Sequence, residues 1–314
     1  MNDFVIITDS NSDLNKELRE KYDIADYIRG IIYFPDSDRS ELIDLEWSLM
    51  TPDEYFSSMK EHKNLYKTAA PTIEEVTTVF EKYLKQGLDI LSINISTGLS
   101  ATVDTCRLVA KDLLEKYPGR KIIVIDTLRY STSQALVTID AAKKRLSGAT
   151  LEETAAYCEE EKTKVHQIGT MDDMFFLAKS GRISNFKAFF GNMIGLNALA
   201  DINDKGLSEV LARFKGKRDA HKAVIEYIKR TIVNPEEQTI FIAQSLRKEA
   251  SEQLAKLVKE EIKPKEIIMN DVGMSCGANI GPGLTSVFYK GEKATPGLEK
   301  EKAIMEEISA SIKK

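Results

Sequence analysis

The stretch from residue 88 to residue 105, LDILSINISTGLSATVDT, constrains the fold of this chain more than any other. It begins with a short apolar run, residues 90–95, that is rich in β-branched side chains and typical of a buried strand. A hydroxyl-rich segment, Ser96 to Ser100, separates this run from a helical pattern. In an open α/β sheet such a loop lies at the carboxyl ends of the strands, where the N–H groups of the next helix favour an anion. The stretch therefore predicts a site for a carboxylate or a phosphate.

The same hydroxyl groups also fit a simpler role. Ser96, Thr97 or Ser100 would cap the following helix, because serine and threonine commonly accept a hydrogen bond from the first N–H groups of a helix. This stretch alone leaves both interpretations open.

Composition excludes several classes of protein. A length of 314 residues, 42% apolar and 30% charged, suits a folded protein of two domains. The net charge of −5 argues against a nucleic-acid partner, which would need a basic face. The three cysteines and three histidines are scattered without ligand spacing, so we predict buried thiols and neither a metal site nor a cofactor. The chain shows no signal-peptide pattern, and no apolar run approaches the length of ~18 residues that a membrane helix needs, so a cytoplasmic location is expected.

The pattern of strand, polar loop and helix recurs through the first half of the chain. An apolar strand at residues 4–7 ends in an acidic and hydroxyl-rich loop that contains Asp9, and another at residues 121–126 ends in Asp126. Helical patterns follow the strands; they cover residues 73–85, 100–117 and 133–146. This alternation predicts a doubly wound, mainly parallel α/β domain over residues 1–160.

The second half has a different character. Turn and charge patterns predict an inter-domain region near residues 150–165, and short strands with intervening helices predict a second α/β domain over residues 161–292, with a mixed or antiparallel sheet. A charged helix is expected within 293–314. Two apolar helices are predicted at 171–178 and 186–199, and a glycine-rich loop at 277–283. The phenylalanine and methionine side chains of residues 186–199 fit a protein core and also fit the lining of an apolar tunnel.

Several motifs then follow one another in an order that resembles the DegV family. They are Thr8-Asp9-Ser10, the segment from Thr68 to Pro71, Ser96-Thr97-Gly98-Leu99-Ser100, Lys179-Ser180-Gly181-Arg182-Ile183 and Gly281-Pro282-Gly283. The resemblance implies a two-domain α/β fold that buries a long-chain fatty acid between the domains. It also implies a non-catalytic, lipid-carrying subunit of a bacterial fatty acid kinase, whose separate ATP-binding subunit makes acyl phosphate for phospholipid synthesis. Transient contact with a membrane surface is compatible with this role.

The same resemblance implies roles for individual residues. Thr68 and either Ser96 or Thr97, with Gly98 in the same loop, are expected to hold the carboxylate. Arg182 is expected beside the site, where it would engage the kinase subunit.

The sequence also departs from the pattern of the family. Asn279 stands where the family commonly has a histidine, and asparagine donates a hydrogen bond but does not titrate. Alanines replace a usual Ser-Gln at 69 and 70 and a usual glycine at 101, and Asn197-Ala198 stands at a usual Lys-Pro. The resemblance is therefore to a divergent member.

Two other functions remain open from the sequence. One is a metal-assisted phosphotransferase or hydrolase that uses Asp9 and Asp126 on a small phosphorylated metabolite, although no P-loop motif is present and neither acid has a partner at ligand spacing. The other is a fatty acid carrier with a different client.

Overall fold

The computed structural model describes residues 3–184 and 196–312, and the chain folds as two compact units. The first unit comprises residues 1–51, 64–162 and 273–278, and the second comprises residues 52–63, 163–272 and 279–314. Unlike the predicted domains, both units are discontinuous in sequence. The main boundary falls between residues 162 and 163. Residues 52–63 belong to the second unit although their neighbours in sequence belong to the first, and residues 273–278 belong to the first unit although their neighbours belong to the second.

The elements alternate along the chain. Within the described residues the strands are β1 (Phe4–Asp9), β2 (Asp26–Ile28), β3 (Ile31–Tyr33), β4 (Ser40–Leu42), β5 (Lys67–Ala69), β6 (Asp89–Asn94), β7 (Ile122–Asp126), β8 (Val165–Met171), β9 (Ile183–Ser184), β10 (Leu196–Ile202), β11 (Ser208–Lys215), β12 (Thr239–Gln244), β13 (Glu266–Asp271) and β14 (Leu284–Lys290). The helices are α1 (Lys16–Lys21), α2 (Pro52–Ser58), α3 (Ile73–Leu84), α4 (Thr102–Lys116), α5 (Thr132–Leu146), α6 (Leu151–Glu161), α7 (Phe175–Ser180), α8 (Lys217–Thr231), α9 (Lys248–Glu261), α10 (Met274–Ile280) and α11 (Glu299–Ile312).

The first unit contains a parallel sheet with the strand order β2-β1-β6-β7. Successive residues of a strand face opposite sides, and both sides of β1 are buried. Val5 and Ile7 join the apolar cluster of α3 and α4, whereas Ile6 is fully buried outside that cluster. The unit is therefore a doubly wound α/β structure, as predicted.

The strand order of this sheet reverses between β1 and β6. The chain runs from β1 outward to β2, returns to the other side of β1 as β6, and continues outward to β7. In open α/β sheets this switch point opens a crevice at the carboxyl ends of the two strands, where ligands bind. A small antiparallel sheet, β4-β3-β5, completes the unit.

The second unit contains a mixed sheet with the order β13-β12-β14-β8-β10-β11-β9. Every residue of the central strand, β8, is buried, and β8 pairs antiparallel with both β14 and β10. Side chains of α8, α9 and α11 form one apolar cluster with the sheet. The predicted α/β class, with one parallel and one mixed sheet, is confirmed.

Three local predictions for this half of the chain were wrong. Met171 ends β8, and the following helix begins only at Phe175, so 171–178 is not one helix. Residues 196–199 begin β10 instead of ending a helix, and the rest of the predicted helix, residues 186–195, lies outside the described residues. Residues 277–280 end α10 and are not loop; Gly281 follows with a φ of 75°.

Gly281 lies directly against Phe176 of α7 in the second unit. A Cβ at this position would come within 2.1 Å of the phenylalanine ring. The glycine thus permits a close approach of the backbone to the ring. Within the described residues, no helix is both long and apolar enough to span a bilayer.

Candidate functional site

The switch point of the parallel sheet is the candidate site, and Asp9 lies at its centre. Asp9 is the last residue of β1 and is 1% exposed. One carboxylate oxygen accepts the backbone N–H of Ile95, just beyond β6, at 2.8 Å. The other accepts the backbone N–H of Asn11 at 2.8 Å and its side-chain amide at 2.9 Å. Burial raises the pKa of Asp9 above its ordinary value although these donors oppose the rise, and the carboxylate ties the loops after β1 and β6 together.

Ser96 follows Ile95 and is fully buried. Its hydroxyl oxygen accepts the N–H of Gly98 at 3.1 Å, and its backbone N–H donates to the carbonyl of Arg129 at 2.8 Å. Within the described part of the chain, the Ser96 O–H has no acceptor. A hydroxyl that is buried at a strand end and has a free hydrogen is suited to donate to an anionic ligand.

Thr97 has a different environment. It is exposed, and its hydroxyl donates to one carboxylate oxygen of Asp126 at 2.6 Å, while its backbone N–H reaches the other oxygen at 3.3 Å. Its hydroxyl hydrogen is therefore already engaged. The next helix, α4, begins only at Thr102, and its first N–H donates to the Ser100 hydroxyl at 3.3 Å, so neither Ser96 nor Thr97 caps it.

Thr68 is half-buried on β5 and lies opposite Ile32 of β3. The end of β1 connects to this strand through Gly30, whose N–H donates to the Ser10 hydroxyl at 3.0 Å. A Cβ on Gly30 would lie 2.9 Å from the carbonyl oxygen of Ala69, so the two segments approach closely. Gly30 therefore links β5, which carries Thr68, to the loop that follows β1.

The other two predicted site residues belong to the second unit. Arg182 is half-buried just after α7, where Gly181 ends the helix in the left-handed conformation and the guanidinium donates to the carbonyl of Ser180. Asn279 is half-buried within α10 rather than in a loop.

Several buried polar residues of this site were not identified from the sequence. Ser275, in the first turn of α10, donates to the side-chain oxygen of Asn11 at 2.5 Å. Asp13, with a φ of 57°, accepts the N–H of Gly273 at 2.9 Å and the hydroxyl of Ser131. The acidic and hydroxyl-rich loop after β1 was a signal for Asn11 and Asp13. Nothing local pointed to Ser275, which lies 264 residues from Asn11.

A phosphate-transfer site finds little support in this geometry. The carboxylates of Asp9 and Asp126 accept N–H or O–H donors at both oxygens and are thereby engaged with neighbouring loops. Among residues 3–184 and 196–312, no cluster of three or more His, Cys, Asp or Glu side chains could hold a metal ion. The three cysteines are buried and unbridged, as predicted, and burial raises the pKa of Cys158 to about 12.

Comparison with known proteins agrees with this fold. The model of the DegV family, described as a family of uncharacterised proteins, matches residues 3–292. A DegV domain-containing protein of Clostridium perfringens is 33% identical over 296 residues, which are 94% of this chain and 100% of that protein.

Solved structures show the same fold. A DegV family protein from Thermus thermophilus, described for its fatty acid binding, has a TM-score of 0.82 at 24% identity and covers 92% of this chain and 100% of its own. A DegV family protein from Ruminococcus gnavus, solved with vaccenic acid, has a TM-score of 0.80 at 18% identity and the same coverage. Because the family model covers nearly the whole chain and the clostridial relative exceeds 30% identity, this protein belongs to the DegV family.

Proposed function

We propose that this protein binds a long-chain fatty acid and holds its carboxylate at the switch point of the parallel sheet. The observation that carries the proposal is the buried Ser96 hydroxyl, whose hydrogen finds no acceptor among the described residues. The relative from Thermus thermophilus, described for its fatty acid binding, and the one from Ruminococcus gnavus, solved with vaccenic acid, support the identity of the ligand.

Between the two hydroxyls that the sequence left open, the contacts favour Ser96. Thr97 would have to release Asp126 before it could donate to a ligand, whereas Ser96 needs no rearrangement. A hydrogen bond to a charged group contributes about 1.5–3 kcal/mol, and the alkyl chain contributes about 0.8 kcal/mol for each buried CH₂. The hydroxyl therefore orients the carboxylate, while the chain supplies most of the affinity. Thr68 is the proposed second donor, from β5.

We further propose that the bound carboxylate is presented to a separate ATP-binding kinase subunit, which forms the acyl phosphate. This chain then contributes binding and orientation, and no catalytic group of its own. Arg182 is the proposed contact with the kinase subunit, because its side chain is half-buried and the described residues give it no carboxylate partner. Asn279 is proposed as an uncharged neighbour of the site.

The experiment that tests ligand binding uses the purified protein directly. The protein is denatured and extracted with solvent, and the released molecules are identified by mass spectrometry. We expect a long-chain fatty acid at about one equivalent. Ser96→Ala should retain clearly less lipid, by about tenfold in dissociation constant after delipidation and reloading, because one charge-assisted hydrogen bond is lost.

Thr97→Val is the matched control, since it removes a neighbouring hydroxyl that is engaged by Asp126. A smaller loss of lipid than in Ser96→Ala is expected. If no fatty acid is found and none can be loaded, the binding proposal fails.

For the kinase step, Arg182→Ala should lower acyl phosphate formation with the ATP-binding subunit while lipid retention stays unchanged. Equal acyl phosphate formation with the wild type and with Arg182→Ala would refute the role of Arg182.

A further inference from the structure

We propose that Asp9 is a positioning residue for the ligand hydroxyl, and that it fixes Ser96 through the backbone of Ile95. This inference rests on the proposed binding of a fatty acid carboxylate by Ser96. It gives Asp9 a role different from the one that the sequence left open, in a metal-assisted phosphotransferase or hydrolase.

Hydrogen bonds to and through Asp9 link three separate segments of the first unit. Ser275 donates to Asn11 at 2.5 Å, Asn11 donates twice to one oxygen of Asp9, and Ile95 donates to the other oxygen. The donors from Asn11 and Ile95 converge on one carboxylate that is 1% exposed, and Ser275 holds Asn11 from behind. A buried acceptor that is satisfied on both oxygens holds its donors in place, because any departure would leave a buried polar group without a partner.

The peptide before Ser96 is held from two sides. On the β1 side, the N–H of Ile95 is bound by Asp9; on the β7 side, the N–H of Ser96 is bound by the carbonyl of Arg129 at 2.8 Å. These two hydrogen bonds fix two consecutive peptide planes, the second of which leads to the Cα atom from which the Ser96 side chain projects. The side chain itself accepts from Gly98, so its remaining hydrogen points in a defined direction.

An amide cannot replace the carboxylate of Asp9. Both of its oxygens face N–H groups, and the NH₂ group of an asparagine has only donors. Asp9→Asn therefore sets a donor against either Ile95 or Asn11, and one of the two loops must shift. The substitution preserves size and removes only the acceptor, which makes it a sharp test.

The experiment is a double-mutant cycle on the full-length, delipidated protein, with palmitate as the probe. The dissociation constant is measured for the wild type, Asp9→Asn, Ser96→Ala and the double variant, and the melting temperature is recorded for each. We expect each single substitution to weaken binding by about tenfold, and the double variant to bind no worse than Ser96→Ala. The loss of melting temperature caused by Asp9→Asn should be the same in both backgrounds.

The combination of readouts separates positioning from general stability. A purely structural Asp9 would weaken palmitate binding by the same factor with or without the Ser96 hydroxyl, and that result overturns the inference. An unchanged dissociation constant in Asp9→Asn overturns it as well. Failure of the proposed function looks different, because the wild type would then bind no palmitate at all.

Two further variants complete the design. Ser275→Ala removes only the hydrogen bond from Ser275 to Asn11. If Asp9→Asn does not fold, Ser275→Ala takes its place in the cycle. We expect it to weaken palmitate binding by about two- to fivefold, and this effect should disappear when Ser96 is alanine. Asp112→Asn, an exposed aspartate on α4 of the same unit, is the matched control and should bind palmitate like the wild type.

Discussion

At the scale of single residues, the second unit contains a buried charge pair. His166 and Asp201 are 1% and 0% exposed, and the ring Nδ1 lies 2.7 Å from a carboxylate oxygen. The other ring nitrogen lies 2.8 Å from the carbonyl oxygen of Glu292. Because both nitrogens face acceptors, the imidazole carries two N–H groups and a positive charge.

Asp201 receives further donors, which identify it as an ionised carboxylate. The backbone N–H groups of Gln167 and Ile202 donate at 3.0 and 2.7 Å, and the hydroxyl of Tyr227 donates at 2.9 Å. Burial opposes ionisation, yet the charge of His166 and these donors together hold the pKa of Asp201 below its ordinary value. Tyr289 stacks on His166 and interacts with the charges of Asp201 and Glu301.

This pair predicts the pH dependence of stability. Since the pKa of Asp201 is lower in the folded state than in the unfolded chain, its contribution is complete above about pH 4 and is lost only as the pH falls further. Asp201→Asn should destabilise the protein by about 3–5 kcal/mol at pH 7, because it leaves a buried imidazolium without its counter-charge. Urea unfolding at pH 7, 5 and 3.5 measures the difference, which should not shrink between pH 7 and pH 5 and should be smaller at pH 3.5. A difference that already closes between pH 7 and 5 would contradict the assignment of the carboxylate.

At the scale of elements, Gly30 sets the distance between the end of β1 and the strand that carries Thr68. Because Gly30 has no side chain, the carbonyl oxygen of Ala69 can lie only 2.9 Å from the position that a Cβ atom would occupy. Gly30→Ala should push β5 away, at a cost of about 1–3 kcal/mol in stability, and should weaken fatty acid binding through Thr68. Ser40→Ala, an exposed change on β4 of the same small sheet, is the control. Titration of palmitate into both variants checks this; equal affinities would mean that β5 does not position the ligand.

The elements also show how much of the fold could be predicted from the sequence. Strands β1, β6 and β7 and helix α3 were predicted because short apolar runs and helical periodicity are local signals. Strand β8 was missed because every one of its residues is buried, so that no alternation distinguishes it from loop or helix. The glycine-rich end of α10 was misassigned, since glycine is a weak helix former and only tertiary packing keeps this segment helical.

The candidate site divides in the same way. Asp9, Ser96 and Asp126 were recognised because each lies at the end of a strand, and position along a strand is a local property. The choice between Ser96 and Thr97 was not predictable, because it depends on a hydrogen bond from Thr97 to Asp126 on another strand. The proposal of a fatty acid as ligand came from the family resemblance, because no local pattern contains it.

At the scale of the whole molecule, α11 extends the chain beyond the residues that the family model matches, 3–292. It nevertheless belongs to the core of the second unit: Leu298, just before the helix, and Met305 and Ile308 within it are fully buried. Lys302 pairs with Glu209 of β11, a carboxylate that is almost inaccessible to solvent. The extension is therefore an integral part of this unit rather than an appended surface helix.

Truncation tests this conclusion on the whole protein. Removal of the chain after Glu292 deletes three fully buried apolar side chains, each of which contributes about 1.5–3 kcal/mol, and exposes the cluster beneath them. The loss is comparable with the total stability of an ordinary domain, about 5–15 kcal/mol, so the second unit should unfold or become sensitive to protease while the first unit keeps its helical signal. A shorter truncation after Ser309 retains Met305 and Ile308 and should unfold in urea close to the wild type. If both truncations unfold at the wild-type urea concentration, α11 does not stabilise the unit, and the packing of Met305 and Ile308 against α8 and β11 contributes nothing to its stability.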